Sequence, residues 1–232
     1  MAPSDENDCT EDFCQKQHSV LLAHLEAVLA YNRTKNLTSI KDLEAGKVLH
    51  IQDSLAVASE LTAAPQGMMA DLGSGAGYPG LPLALVSGRQ AVLIEANKKK
   101  ARFLKDFIVA HGLSKQISVA ALRSEELALE QKEAFAAVTA RAVAELPTLL
   151  ELAAPLLAQG GHFIALKGRP ATSERERGAV AAEKLGMSPL DMRRYKLSDN
   201  ATQRCVLVYE KTGESQIEVP RRPGMAAKHP LA

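Results

Sequence analysis

The feature that most narrows the possible folds lies at residues 68–80. A short apolar run, Met68 to Leu72, leads into Gly73-Ser74-Gly75-Ala76-Gly77-Tyr78-Pro79-Gly80, and a helical stretch from Leu81 to Ser87 follows. Glycines at alternate positions let the backbone bend tightly and come close to a ligand, because no Cβ resists the left-handed conformations such a bend needs. The next apolar run, Ala91 to Glu95, ends in a carboxylate 24 residues after Asp71. Strands that end in a bare bend and then a carboxylate suit an open parallel sheet, whose ligands sit at the carboxyl ends of its strands.

The rest of the chain agrees with that frame. Apolar positions Leu21, Leu25 and Val28 predict a helix from His18 to Asn32, and Val48, Ile51, Leu55, Ala58 and Thr62 predict another from Lys47 to Thr62, with His50 and Asp53 on its outward side. Asn36-Leu37-Thr38-Ser39 is a polar turn between them. Beyond the glycine loop, Asn97–His111 reads as an amphipathic helix stopped by Gly112. Strands are expected at 117–121, 135–140, 161–167, 189–194 and 204–210, with helices at 145–158 and 174–185. Alternating strands and helices predict an α/β fold with a doubly wound, mostly parallel sheet. The last two strands lack a long helix between them and suit an antiparallel hairpin at the sheet edge. Residues 1–17 read as a disordered acidic leader, 18–64 as N-terminal helices packed on the core, 65–211 as the catalytic domain, and 212–232 as an extended basic tail.

Composition removes several classes. Aromatic residues make up 4% of the chain and tryptophan is absent, so an aromatic base-stacking platform is not expected. The three cysteines, Cys9, Cys14 and Cys205, are too few and too scattered for a disulfide framework and read as reduced cytosolic thiols. No signal peptide or membrane span is visible, no histidines show metal spacing, and a cytoplasmic location is expected. The net charge is only +1, yet Arg89, Lys98, Lys99, Lys100, Arg102 and Lys105 face Glu95 alone between residues 89 and 105. A polyanion needs such a local patch, not a basic total.

The loop chemistry favours S-adenosylmethionine over a dinucleotide. The third glycine comes one residue earlier than in the dinucleotide fingerprint. Asp71 at the loop entrance repels a pyrophosphate and attracts a sulfonium, and Glu95 can accept hydrogen bonds from both ribose hydroxyls. Ser124-Glu125, after the third strand, lies where an adenine would rest; Ser124 is equally a helix N-cap.

Taken together, these segments resemble the RsmG (GidB) family of bacterial methyltransferases. The resemblance rests on Asn36-Leu37-Thr38-Ser39-Ile40, His50-Ile51-Gln52-Asp53-Ser54-Leu55, Asp71 through Leu83, and Lys99-Lys100-Ala101-Arg102-Phe103-Leu104. It continues at Ala140-Arg141-Ala142, Ala165-Leu166-Lys167-Gly168, Arg204 through Val208, Pro220-Arg221-Arg222-Pro223-Gly224 and His229-Pro230-Leu231. The resemblance implies a class I, Rossmann-like fold with a seven-stranded sheet, and methyl transfer from S-adenosylmethionine to guanine N7 of 16S ribosomal RNA. It implies donor contacts at Gly73, Tyr78, Glu95-Ala96-Asn97, Ser124-Glu125 and Arg141, and the loop adds Asp71, Gly75 and Gly77. The family often has Asp at the position of Glu95 and Phe or Leu at that of Tyr78, whose hydroxyl is expected at a pocket rim.

Candidate RNA contacts are Asn36, Lys98, Lys99, Lys100, Arg141, Lys167, Arg221 and Arg222. Three lysines on a helix's first turn oppose its dipole, so stability does not explain them. The bland alternatives are a solvated face for the lysines, a cation closing the next turn for Lys167, a shaped turn for Asn36, and a surface pair for His50 and Asp53. Arg221 and Arg222 are read as phosphate contacts on a mobile tail. Guanine N7 carries a lone pair and no proton, so no general base is expected. Three other functions stay open: a nicotinamide-dependent oxidoreductase, a non-catalytic ribosome-assembly factor, and methyl transfer to a protein or small metabolite.

Overall fold

The computed structural model describes residues 5–168, 172–199 and 201–232, and only the helical backbone for residues 5–14. The chain begins with α1 (Asp5–Asn32), then α2 (Leu43–Gly46), a π-helical turn (Lys47–Gln52), α3 (Asp53–Leu55) and α4 (Ala58–Ala63). The alternating part follows as β1 (Met69–Leu72), α5 (Gly80–Ser87), β2 (Ala91–Ile94), α6 (Lys98–Ala110), β3 (Ile117–Ala120) and α7 (Ser124–Glu130). It closes with β4 (Phe135–Arg141), α8 (Leu146–Ala153), β5 (Leu157–Lys167), α9 (Thr172–Lys184), β6 (Met187–Lys196), β7 (Gln203–Lys211) and α10 (Met225–Lys228).

The seven strands lie in the order β3-β2-β1-β4-β5-β7-β6. β1 to β5 pair in parallel. The hairpin β6–β7 returns so that β7 runs antiparallel to β5 and leaves β6 at the edge. Strand periodicity divides the core in two, because successive side chains point to opposite faces. Met69, Leu93, Ala137, Ile164 and Val206 join Leu21, Leu25 and Leu81 beneath the N-terminal helices. Ala70, Val92, Val138, Phe163 and Leu207 meet Leu127, Leu149 and Ala181 of α7, α8 and α9 on the other face. No helix among the described residues is long and apolar enough to cross a membrane.

Three regions depart from the sequence-based expectation. The expected leader is helical from Asp5 onward, so α1 starts thirteen residues ahead of His18; residues 1–4, and the thiols of Cys9 and Cys14, lie outside what is described. The single helix expected over 47–62 is broken into pieces, and the face read as outward is buried along with most of the inward stripe, in which Ile51 is buried and Leu55 and Ala58 pack half-buried against the core. His50, Asp53, Val57 and Leu61 are buried while Thr62 is exposed. The π turn at Lys47–Gln52 alters the helical phase, so 3.6-residue periodicity misses that His50 and Asp53 turn inward beside Ile51.

The tail is the third departure. Its backbone docks on the catalytic domain instead of trailing free. Arg221 donates from Nε and Nη2 to the two oxygens of Glu151, both at 2.6 Å. Thr148 Oγ1 donates to Ala226 O at 3.1 Å, and Gly224 N donates to Glu125 Oε1 at 2.8 Å. Glu151 is buried in α8, so Arg221 is its counter-charge. Replacing Arg221 with Ala leaves a buried carboxylate without a partner and is expected to lower the unfolding free energy by roughly 1–3 kcal/mol. Urea denaturation followed by circular dichroism measures this; an unchanged midpoint would show that the pair does not hold the tail.

Candidate functional site

The glycine loop is built on a buried carboxylate. Asp71 at the end of β1 is 0% exposed. It accepts from Thr139 Oγ1 on β4 at 2.7 Å and from Gly80 N at the start of α5 at 3.2 Å. Gly80 is required there, because a Cβ would stand 2.5 Å from both Asp71 Cβ and Leu93 Cδ2. Burial pushes the Asp71 carboxyl up to about 6, against the pull of its hydrogen bonds and Arg141. Asp71, read from the sequence as a donor contact, thus lies beneath the loop and fixes it through Thr139 and Gly80.

Above it, Gly73, Gly75 and Gly77 take φ of 64°, 58° and 99°. Glu95, 8% exposed, straps the loop to the second strand: Oε2 accepts from Gly75 N at 2.8 Å and Oε1 from Asn97 N at 2.6 Å. A carboxylate has about four lone-pair positions, so two remain for hydroxyl donors. Asn97 caps α6, its Oδ1 accepting from Lys99 N and Lys100 N at 3.0 and 3.3 Å. Lys98 and Lys99 project into solvent beside it, and Lys100 is half-buried.

A cavity of about 240 Å³ opens next to the loop, lined by Gly73, Ile94, Ala96, Leu122, Ser124, Glu125 and Val143. Gly73, Ala96, Ser124 and Glu125 thus converge from separate loops, as the sequence reading places them. Ser124 is not the N-cap: Arg123 N donates to Glu126 Oε2 at 2.8 Å, and Ser124 Oγ donates to Glu125 Oε2 at 3.2 Å. Thr148, Gly224 and Ala226 also line this cavity. Sequence reasoning missed them because the tail's return over α8 has no local signal.

A larger cavity, about 550 Å³, lies on the other side of the end of β4. Its walls include Thr38, His50, Asp53, Arg141, Lys167 and Arg204. Arg141 is clamped, donating to Leu49 O at 2.9 Å, Asp53 Oδ2 at 3.1 Å and His50 Nδ1 at 3.1 Å. Asp53, 1% exposed, also receives Tyr195 OH at 3.1 Å and Arg204 Nε at 3.3 Å. His50 and Asp53 are therefore an interior hub and not a surface pair. Residue Ala142, with φ 56°, turns the chain from this cavity to Val143 in the first. A non-glycine residue there costs about 1–2 kcal/mol, a strain the surrounding clamp sustains.

The remaining predicted residues fall elsewhere. Tyr78 is 4% exposed and stacks on His50 with ring centroids 4.4 Å apart and planes 3° apart. It supports His50 and lies at no pocket rim. Burial pushes its hydroxyl well above the ordinary tyrosine range. Gly77 is buried against His24. Lys167 donates to Ala144 O at 2.9 Å and pairs with Glu174 at 2.6 Å. Asn36 is exposed, and its turn is organised instead by Asn32, whose Oδ1 accepts from Leu37 N and Thr38 N at 2.8 and 3.1 Å. Arg221 is engaged by Glu151, while Arg222 is exposed. Among the described residues no group of three or more His, Cys, Asp or Glu could hold a metal ion.

A guanidinium only donates, so His50 Nδ1 accepts from Arg141 and the ring proton sits on Nε2. Nε2 lies 3.0 Å from Thr38 Oγ1, which also accepts from Ile40 N at 3.2 Å. The hydroxyl proton of Thr38 is then left to donate into the cavity it lines. Burial and the facing Arg141 charge lower the His50 pKa to about 4, which keeps the ring neutral.

A parallel sheet with one reversed strand before its edge, a glycine loop, and a carboxylate at the next strand end define a class I S-adenosylmethionine-dependent methyltransferase. The donor's chemistry fits these residues: lone pairs on Glu95 for ribose hydroxyls, and apolar walls at Ile94, Leu122 and Val143 for an adenine. Within that class, the family described as GidB, rRNA small subunit methyltransferase G, matches residues 17–203, and the chain belongs to it. A relative in Desulfitobacterium hafniense, named ribosomal RNA small subunit methyltransferase G, is 37% identical over 90% of this chain and 87% of its own. The B. subtilis tRNA methyltransferase TrmK superposes with a TM-score of 0.55 at 24% identity, over 70% of this chain and 66% of that one. A geranyl diphosphate methyltransferase solved with S-adenosylmethionine gives 0.54 at 11% identity, over 69% and 85%.

The histidines set a pH dependence. Complete burial, with His50 and His111 nearby, lowers the His24 pKa to about 3. Folded values below the ordinary 6.5 mean that the unfolded chain binds more protons beneath that pH, so stability falls as pH drops from 6.5 towards 4. Each unit is about 1.4 kcal/mol, giving roughly 3 kcal/mol for His50. Asp71, raised to about 6, acts in the opposite sense and offsets part of this. Chemical denaturation between pH 4 and 7 should show a shallower slope for His50→Asn than for the parent; equal slopes would contradict a buried neutral His50.

Proposed function

We propose that this protein transfers the methyl group of S-adenosylmethionine to N7 of a guanine in 16S ribosomal RNA. The observation that carries the reading is the adjacency of the two cavities. Arg141 and Ala142 line one, and Val143 and Ala144 line the other. A donor seated against Gly73 and Glu125 and a base seated against Thr38 and Arg141 meet across four consecutive residues at one strand end. The family's name for the small-subunit ribosomal RNA supports the substrate class, and the resemblance of the motifs supports the guanine N7 position.

S-adenosylmethionine supplies an electrophilic methyl group when bound. The nucleophile is a lone pair on an unprotonated ring nitrogen, so the protein has no proton to remove. Its contribution is alignment, and a well-placed pair of reactants gains several kcal/mol from orientation alone, roughly 7–11 at the limit. Guanine presents two acceptors on its exposed edge, N7 and O6. With N7 directed at the methyl carbon, O6 is the acceptor left for Thr38 Oγ1 and the Arg141 guanidinium. Asp53 and His50 hold that guanidinium and do not themselves act as acid or base. The nicotinamide alternative has no support here, because Asp71 and Glu95 at the loop both oppose two phosphate charges.

The direct test is mass mapping of 16S ribosomal RNA from cells with and without the gene. The reading expects one N7-methylguanosine to disappear on deletion and to return when purified protein and labelled donor are added to small subunits. An unaltered map overturns it. A finer test is Thr38→Val, which keeps shape and removes the donor. It should lower kcat/KM for RNA about tenfold, equivalent to ~1.4 kcal/mol, with donor affinity unchanged and Thr38→Ser restoring activity. Full activity in the Val variant would remove Thr38 from recognition.

A further inference from the structure

We propose that a groove between the β6–β7 hairpin and the start of α9 holds the sugar-phosphate backbone of the RNA strand that delivers the target base. This rests on the reading above and assigns the phosphate contacts to a different face from Lys98, Lys99 and Lys100. The groove encloses about 380 Å³, and its lining contains Arg175, Arg194, Lys196 and Arg204 and, among the described residues, no carboxylate. It shares Gly168 and Arg204 with the cavity that holds Thr38 and Arg141. The two concavities are thus neighbours around the end of β5.

Strand alternation separates the cations of β6 by task. Arg193 and Tyr195 point to the N-terminal layer, where Arg193 Nε donates to Glu60 at 2.7 Å and Tyr195 OH to Asp53 at 3.1 Å. Arg194 and Lys196 point the other way, opposite Cys205 and Gln203 of β7. Arg175 joins them from α9, its one side-chain hydrogen bond among the described residues being a 3.8 Å contact to Met192 Sδ. Among the described residues, Arg141, Lys167, Arg193, Arg204, Lys211 and Arg221 all pair with carboxylates, and Arg175, Arg194 and Lys196 do not.

Edge strands carry lysine and arginine to prevent sheet-to-sheet pairing. That explains charge on β6 but not a concave site to which a helix contributes a third cation. Clustered cations in a groove raise the local potential and attract a polyanion. Gln203 and Thr172 in the same lining add neutral polar groups suited to phosphate and sugar oxygens. The chemistry is that of a single strand held by its backbone, without base readout, while one base turns into the adjacent cavity.

The experiment compares the full-length parent, the triple variant R175S/R194S/K196S and the triple variant K98S/K99S/K100S. Each is titrated with isolated small subunits and with a 16S ribosomal RNA transcript from 50 to 300 mM salt. Donor affinity and circular dichroism serve as folding controls. The groove variant should bind RNA at least tenfold more weakly, and its slope of log Kd against log salt should fall by about 2, at roughly 0.7 per lost phosphate contact. Donor affinity should not change. A groove variant with parental affinity and slope overturns the proposal, as does loss confined to the Lys98–Lys100 variant. Failure of the functional reading is distinguishable, because there the parent itself would not methylate the subunit.

Discussion

The structure depends on one buried charge cluster. The carboxylate of Asp53 is almost wholly removed from water and is balanced by the guanidiniums of Arg141 and Arg204 and the hydroxyl of Tyr195. Those partners come from β4, β7 and β6, while Asp53 itself follows the π turn of the N-terminal layer. Four segments distant in sequence are therefore held at one point. A buried ion cluster adds little net stability over well-packed apolar groups, but it is costly to break once formed. Here it fixes where the N-terminal layer sits on the sheet, and hence the shape of the cavity over the end of β4.

Two further buried carboxylates do the equivalent work for the donor. Asp71 holds Gly80 and Thr139, and Glu95 holds Gly75 and Asn97. The loop is thus preorganised before any ligand arrives, which keeps the ordering cost out of binding. Asp71 remains largely ionised at neutral pH despite its raised pKa, so the loop presents negative potential to a cationic donor from beneath. Direct contact is not needed for that effect inside a medium of low dielectric.

Much of this was legible in the chain. The alternation of short apolar runs with amphipathic stretches predicts the sheet, its direction and the reversed hairpin. The spacing of Asp71, the three glycines and Glu95 predicts a cationic adenosyl donor, and the methyltransferase family match agrees with it. What misled was periodicity where the helix changes pitch. The stripe through Val48, Ile51, Leu55, Ala58 and Thr62 holds at Ile51 and fails at Thr62, and the π turn brings His50 and Asp53 inward as well. Tyr78 was misplaced for a related reason: the loop winds back through Gly77 to bury it against His50. The basic tail looked like a flexible arm because its counter-charge, Glu151, lies 70 residues away in sequence.

The sequence by itself determined the class of fold and the chemistry of the donor site, because both rest on local rules: strand length, alternation, glycine conformations and a carboxylate at a strand end. Only the tertiary structure decided which cations are committed and which remain available. Arg141, Lys167 and Arg221 are bound to carboxylates from remote segments, whereas Arg175, Arg194 and Lys196 share a groove with none among the described residues. Pairing of charges is a property of distance in space, and residues that neutralise one another across the fold leave no pattern along the chain.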